Sequence, residues 1–413
     1  MLPFPDVSRR RRLALRHGLA RPYPSVGAAA EAMTALHATE AATVHLALWA
    51  RVADLALDDV ERALYDERSI VKQLAMRRTL FAFPRDLLPA VWGSAAARVA
   101  GQQRTQVLKD LHGSGCADDP EAWLAEVEGA IVEVLGDGKA RTTAQLREEV
   151  PLLATKVMRG APGSKWAAEV PVAPQVLTML GAEARVLRAE NAGHWRLNKP
   201  AWTTTEAWLG EGGGDGAGTV TPPDPAAGYA ELVRRWLWTF GPGTEADIVW
   251  WLGATKTIVR RALADVSAVA VALDGGGTGW VLPDDVADLD GGGGGGGGGG
   301  TGAEVAPWAA LLPTLDPTVM GWKERSFYLD AAHTPYLFDS NGNAGNTAWW
   351  DGRVVGCWVQ DEAGEVRVIL REDVGSEASA ALDAEAARLG AWLAGVRITN
   401  VYASPQMRNA LLP

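Results

Sequence analysis

A chain of 413 residues is too long for one ordinary domain, and 47% apolar against 22% charged residues is the balance of a globular chain that buries a real core, which excludes general disorder. The net charge of −11 counts against a protein that coats nucleic acid nonspecifically, so the placement of basic residues matters more than their sum. Cys116 and Cys357 match no disulfide framework or metal-ligand spacing, and the arginines at 9–12 precede only a short apolar stretch, unlike a signal peptide or membrane span; a reducing cytoplasm, no metal and no membrane contact are expected.

In chain order, one pattern recurs three times. Ser25 is placed to cap a helix carrying Ala28, Ala32 and Leu36, a second helix follows through Val44, Leu48 and Val52, and the acidic turn Asp58-Asp59 opens a third that runs to about Asp66. Residues 69–84 begin helix-like or extended and end in the β-prone run 79–83 before Pro84. Residues 139–198 repeat the order: Thr142 or Thr143 caps a short helix, another helix lies near 173–180, and two strand-like runs flank a turn at 191–193. Residues 241–283 do so again, with Thr244 as cap, a basic helix over 255–266 and a hairpin around 274–277.

The glycine-rich stretches 211–225 and 291–300 bury nothing and read as a linker and a surface loop; neither carries the Lys-Ser/Thr ending of a phosphate loop. Beyond Pro307 the chain alternates as strands, including 326–329, with hairpin turns at Asp351-Gly352 and Ala363-Gly364, then a helix over 378–395 and a short strand over 396–404. The expected fold is therefore α+β: three tandem winged-helix domains with a C-terminal antiparallel β-barrel. The divisions fall at residues 1–130, 131–210, a Gly/Pro linker at 211–227, 228–303 and 304–413. Basic residues cluster at Arg9 to Arg12 with Arg16 and Arg21, at Lys72, Arg77 and Arg78, at Arg185, Arg188, Arg196 and Lys199, at Lys256, Arg260 and Arg261, and at Lys323 and Arg325.

Residues 36–52, 69–84, 240–283, 311–325 and 341–358 carry a resemblance to the AlkZ/YcaQ-type winged-helix DNA glycosylases that covers nearly the whole chain. The resemblance implies winged helices and a barrel around a concave DNA-binding surface. It also implies monofunctional hydrolysis of the N-glycosidic bond of alkylated purines, bulky natural-product adducts and crosslinks included, in DNA repair or self-resistance. The implied partner is double-stranded DNA carrying alkylated bases; the protein is expected to act as a monomer, without a cofactor. The family's chemistry lies in a Gln, one apolar residue, then Gln or Asp. Here those positions hold His37, Ala38 and Thr39, which resembles a His-Ala-Thr form associated with GC-rich bacteria.

An alkylated cationic base is already a good leaving group, so hydrolysis needs mainly a positioned water and a stabilised oxocarbenium-like sugar. His37, at an ordinary pKa of about 6.5, would orient or deprotonate that water and Thr39 would hold it, although a hydroxyl lacks the charge of a carboxylate. The plainer readings are a structural histidine at a helix junction and Thr39 as an N-cap before Glu40. Lys72, Arg77 and Arg78 near the first wing, and Trp322, Lys323 and Arg325 near a barrel hairpin, are the expected DNA contacts; alternatively Trp322 simply packs in the core. The competing function is a noncatalytic winged-helix DNA-binding protein, a regulator or damage-recognition factor, though three wings in one chain differ from the usual small dimeric regulator.

Overall fold

The computed structural model describes residues 1–159, 167–210, 222–287 and 305–408; the expected linker lies mostly, and the glycine run wholly, outside them. Helices and small sheets are mixed throughout, as expected of an α+β chain. Three sheets have three strands each. In the first, Leu80–Pro84 lies between Leu36–His37 and Ile70–Leu74; in the second, Pro200–Thr204 lies between Arg141–Thr142 and Val186–Asn191. In the third, Val269–Leu273 pairs with Thr278–Val281, and Trp280 also bridges to Gly243. Each sheet follows helices that the capping residues begin as read: Ser25 Oγ accepts from Ala28 N, Thr142 Oγ1 from Gln145 N, and Thr244 Oγ1 from Asp247 N.

Of the two readings open for the start of 69–84, the extended one holds: Ile70–Leu74 is a strand. Three local expectations are corrected. The run 193–198 is no strand: Trp195 is buried against His45 and Trp392, which draws the loop out of the ladder, and Asn191 spans it by donating to Leu197 O and accepting from Lys199 N. Residues 326–329 form a turn because Phe327 and Tyr328 are drawn into the core beside Trp322, and 396–404 form no strand.

Sequence reasoning also missed the N-terminal segment. Leu2–Phe4 joins the third sheet in parallel with Val269–Leu273, and helix Asp6–Arg16 turns its arginines inward. Arg12 donates to Gly241 O and Asp285, and Arg16 donates to Trp238 O and Asp285, so this basic cluster is architecture. Burial opposes ionisation of Asp285, yet Arg12 and Arg16 together hold its carboxyl below the ordinary range.

The expected barrel is not closed. Strands Ala309–Leu312, Thr347–Trp350, Arg353–Gln360 and Val366–Leu370 form an open antiparallel sheet in that order, with no pairing between its first and last strands. Four short strands are too few to close on themselves. Helix Gly375–Leu393 packs on the sheet instead, burying Leu382, Leu389 and Leu393. One apolar core joins the first sheet, the helices over 225–265 and this C-terminal layer, while a separate core draws on residues between Val107 and Trp202. No helix among the described residues is long and apolar enough to cross a membrane.

Candidate active site

The His-Ala-Thr segment sits on an edge of the first sheet. His37 lies opposite Phe81, and Ala38 N donates to Leu80 O at 3.0 Å. His37 and Thr39 line a cavity of about 450 Å³, whereas Ala38 lines a small neighbouring crevice, the alternation expected of extended chain. Thr39 does not cap the next helix. Glu40 occupies the N-cap position of Ala41–Trp49, and the Thr39 hydroxyl is buried with no hydrogen-bond partner among the described residues.

His37 is 4% exposed and its ring packs 4.5 Å from that of Phe81, centroid to centroid. Neither ring nitrogen has a hydrogen-bond partner among the described residues. Burial, reinforced by the nearby Arg77 guanidinium, pushes its pKa down to about 3. The imidazole is therefore neutral at physiological pH and a weak base. It is suited to orienting a water by hydrogen bonding, and poorly suited to taking that water's proton.

The turn between the hairpin strands brings cations to the same cavity. Arg77 and Arg78 both adopt left-handed backbone, at φ of 55° and 58°, a conformation that costs a non-glycine residue of order 1 kcal/mol. The Arg77 guanidinium lies 4.2 Å from the Trp250 ring centre, and Arg325 lies over the same ring at 5.3 Å. Burial and the neighbouring Arg325 lower the Arg77 pKa to about 10, which leaves it charged. Gly253, at φ 58°, ends the helix Glu245–Leu252 against this turn; a Cβ there would sit 2.9 Å from Arg77 Cγ. Arg188 and Asn198 from the second unit, and Asn343 and Tyr402 from the C-terminal part, complete the polar lining. Among the described residues the lining thus carries three guanidiniums and no carboxylate, a charge set that fits phosphate.

The remaining expected residues lie off the lining of this cavity. Lys72 lines two crevices beside it, shares Leu80 and Arg188 with it, and donates to Tyr65 Oη at 2.8 Å; burial brings its pKa down to about 8. Lys323 is exposed, its turn held by Asp247, which accepts from the backbone N–H groups of Lys323 and Glu324. Trp322 is placed in the core, at 2% exposure with its indole N–H donating to Phe240 O, which is a packing position and not the groove contact expected of it. His45 pairs with Glu61 at 2.7 Å. Glu40, at the N-cap of the next helix, accepts through Oε1 from Val401 N at 2.5 Å and Tyr402 N at 2.9 Å, fixing the segment that carries Tyr402. Arg188 had a signal in its basic cluster, while Tyr402 and Asn343 had none.

The sequence model of one protein family, described as DNA glycosylase AlkZ-like, matches residues 30–392. Among solved structures, the Streptomyces sahachiroi DNA glycosylase AlkZ is similar at a TM-score of 0.70 and 19% identity, over 95% of this chain and 97% of that one, a likeness of fold. No curated protein matches.

Proposed function

The chain belongs to the AlkZ-like DNA glycosylase family, and from that premise we propose that it hydrolyses the N-glycosidic bond of an alkylated purine in duplex DNA, with His37 and Thr39 positioning the attacking water. The observation that carries this reading is that both ring nitrogens of His37 and the hydroxyl of Thr39 are buried without partners among the described residues, on the wall of one cavity. Native proteins rarely leave such groups unpaired, since each costs about 1–3 kcal/mol, and a bound water or substrate would pair them. The water oxygen bonds to C1′ as the C1′–N bond breaks, its electron pair neutralises the cationic base, and the surplus water proton leaves to solvent. His37 accepts a hydrogen bond from that water, and Thr39 holds it from the other side.

The element order supports three tandem winged helices: helix, a short strand or bridge at Leu36–His37, Arg141–Thr142 or Gly243, further helices, then a hairpin. On this reading Arg77, Arg78 and Arg188 meet the phosphates beside an extruded base, and Lys72, Lys323 and Arg325 lie along the flanking backbone. The cavity volume falls within the ~300–1,000 Å³ of small-molecule sites, leaving room for a purine with a large substituent such as a natural-product adduct.

The test incubates the protein with a duplex bearing one N7-alkylated guanine and measures alkali-revealed strand cleavage. Wild type should release the base above the spontaneous rate, and His37→Ala and Thr39→Ala should slow it, about 100-fold for His37, while still binding DNA. That the described lining carries no carboxylate favours the second reading, a noncatalytic damage-binding protein. Salt-dependent DNA binding without release of any tested adduct would establish that reading instead.

A further inference from the structure

The cavity's fixed charge poses a problem that the reading above does not solve. Arg77, Arg78 and Arg188 attract phosphate, but they repel a purine made cationic by alkylation, and no lining carboxylate offsets them. The discrimination must come from another kind of group. The face of Trp250 is already occupied by Arg77 and Arg325, and the His37 ring packs against Phe81. Tyr402 is the remaining aromatic ring on the described lining.

Its position is built by several anchors. Glu40, which directly follows Thr39, accepts the N–H groups of both Val401 and Tyr402, and upstream Ile398 N donates to Gln360 Oε1 at 2.8 Å. Val401 is 74% exposed, so the dipeptide stands at the surface with one side chain in solvent and the other on the cavity wall. Burial, together with the carboxylates of Glu40 and Asp339, keeps the phenol protonated, and those two carboxylates lend the Tyr402 end a negative potential. The lining therefore has two poles, guanidiniums for phosphate and an electron-rich ring for a cation.

We propose that Tyr402 is the specificity-determining residue of this cavity, its ring face selecting an extruded purine that carries a positive charge over its neutral counterpart, with Glu40 as the positioning residue. The inference rests on the glycosylase reading for its substrate class. Cation–π attraction in a desolvated site supplies the selection, and the base stays bound while its glycosidic bond is cut.

The experiment measures equilibrium binding of the full chain to three duplexes that differ at one nucleotide: N7-methyl-2′-fluoro-2′-deoxyguanosine, which is cationic and slow to depurinate; its neutral 7-deaza-7-methyl isostere; and a tetrahydrofuran abasic analogue. Wild type and Tyr402→Phe should prefer the cationic duplex by roughly 5- to 30-fold. Tyr402→Leu and Tyr402→Met should bring that ratio close to one while leaving affinity for the abasic duplex unchanged, which shows the fold intact. Glu40→Ala should lower the ratio partway, and Glu40→Gln, which keeps an acceptor, should recover much of it. Retention of the full ratio in both Tyr402→Leu and Tyr402→Met overturns the inference. A wild type without any preference overturns it too, and base release in the alkali assay then decides separately whether the glycosylase reading survives.

Discussion

Two buried polar regions lie close together in this molecule and are treated in opposite ways. Around Arg51 the charges are matched: its guanidinium donates to both oxygens of Asp316, at 2.9 and 2.6 Å, and to Ala47 O and Thr318 Oγ1, with both partners of the ion pair fully buried. Thr318 in turn bonds His17 Nδ1, whose Nε2 meets Thr239 O, so four chain segments are tied in one network. Along the cavity, the ring nitrogens of His37 and the hydroxyl of the half-buried Thr39 are also shielded from solvent yet have no protein partner among the described residues. The Arg51–Asp316 pair ties elements together, whereas the His37 and Thr39 atoms stand open on the wall of a cavity.

The contrast can be broken at either end. The largest effect is expected from Asp316→Ala, which strands the Arg51 charge in the core and should remove about 3–5 kcal/mol, read by urea denaturation. Next comes acid. Burial, aided by Arg51, lowers the His17 pKa to about 3, and burial with Arg77 does the same for His37, whereas both titrate near 6.5 in the unfolded chain. Between those values the unfolded state binds more protons, so stability present above pH 6.5 is lost as pH falls toward 3. Each histidine should contribute a loss of up to about 2 kcal/mol between pH 7 and pH 5, and His37→Leu should abolish its share. Activity, by contrast, should show no break near pH 6.5, because His37 stays neutral there.

Gly253→Ala should cost about 1–3 kcal/mol, since the left-handed backbone and the 2.9 Å approach to Arg77 both exclude a methyl group; displacement of Arg77 should also weaken DNA binding. The smallest effect sharpens the comparison most. At pH 7, His37→Leu and Thr39→Val should change stability by no more than about 1 kcal/mol, because no hydrogen bond is lost, while base release falls. Destabilisation as large as that of Asp316→Ala would mean that the two regions do the same work.

Local chemistry made much of this legible in sequence. Ser25, Thr142 and Thr244 announce helix starts because capping depends only on residues three apart, and the Asp351-Gly352 turn follows from its need for positive φ, met at 44° and 82°. The motif at 37–39 and the turn arginines could be named for the same reason. What escaped depends on distant partners. Trp322 looks like a DNA contact, and the N-terminal arginines like one more basic cluster, until Phe240 and Asp285 are brought to them, and Tyr402 joins the cavity with its backbone held by Glu40 from 362 residues away. The barrel was overread because alternation reveals strands but not whether an edge finds a mate or a helix.

The N-terminal segment has a consequence for the order of synthesis. Strand Leu2–Phe4 pairs with residues near 270, and Arg12 and Arg16 find their shared carboxylate only at Asp285. On a ribosome adding ~5–20 residues per second, that helix emerges tens of seconds before its partners exist. Long separations of this kind also slow folding, since the intervening chain must be ordered before the contact forms. This early-made segment is thus among the last to be locked in place, and Arg12 and Arg16 meet Asp285 only after roughly two thirds of the chain has followed.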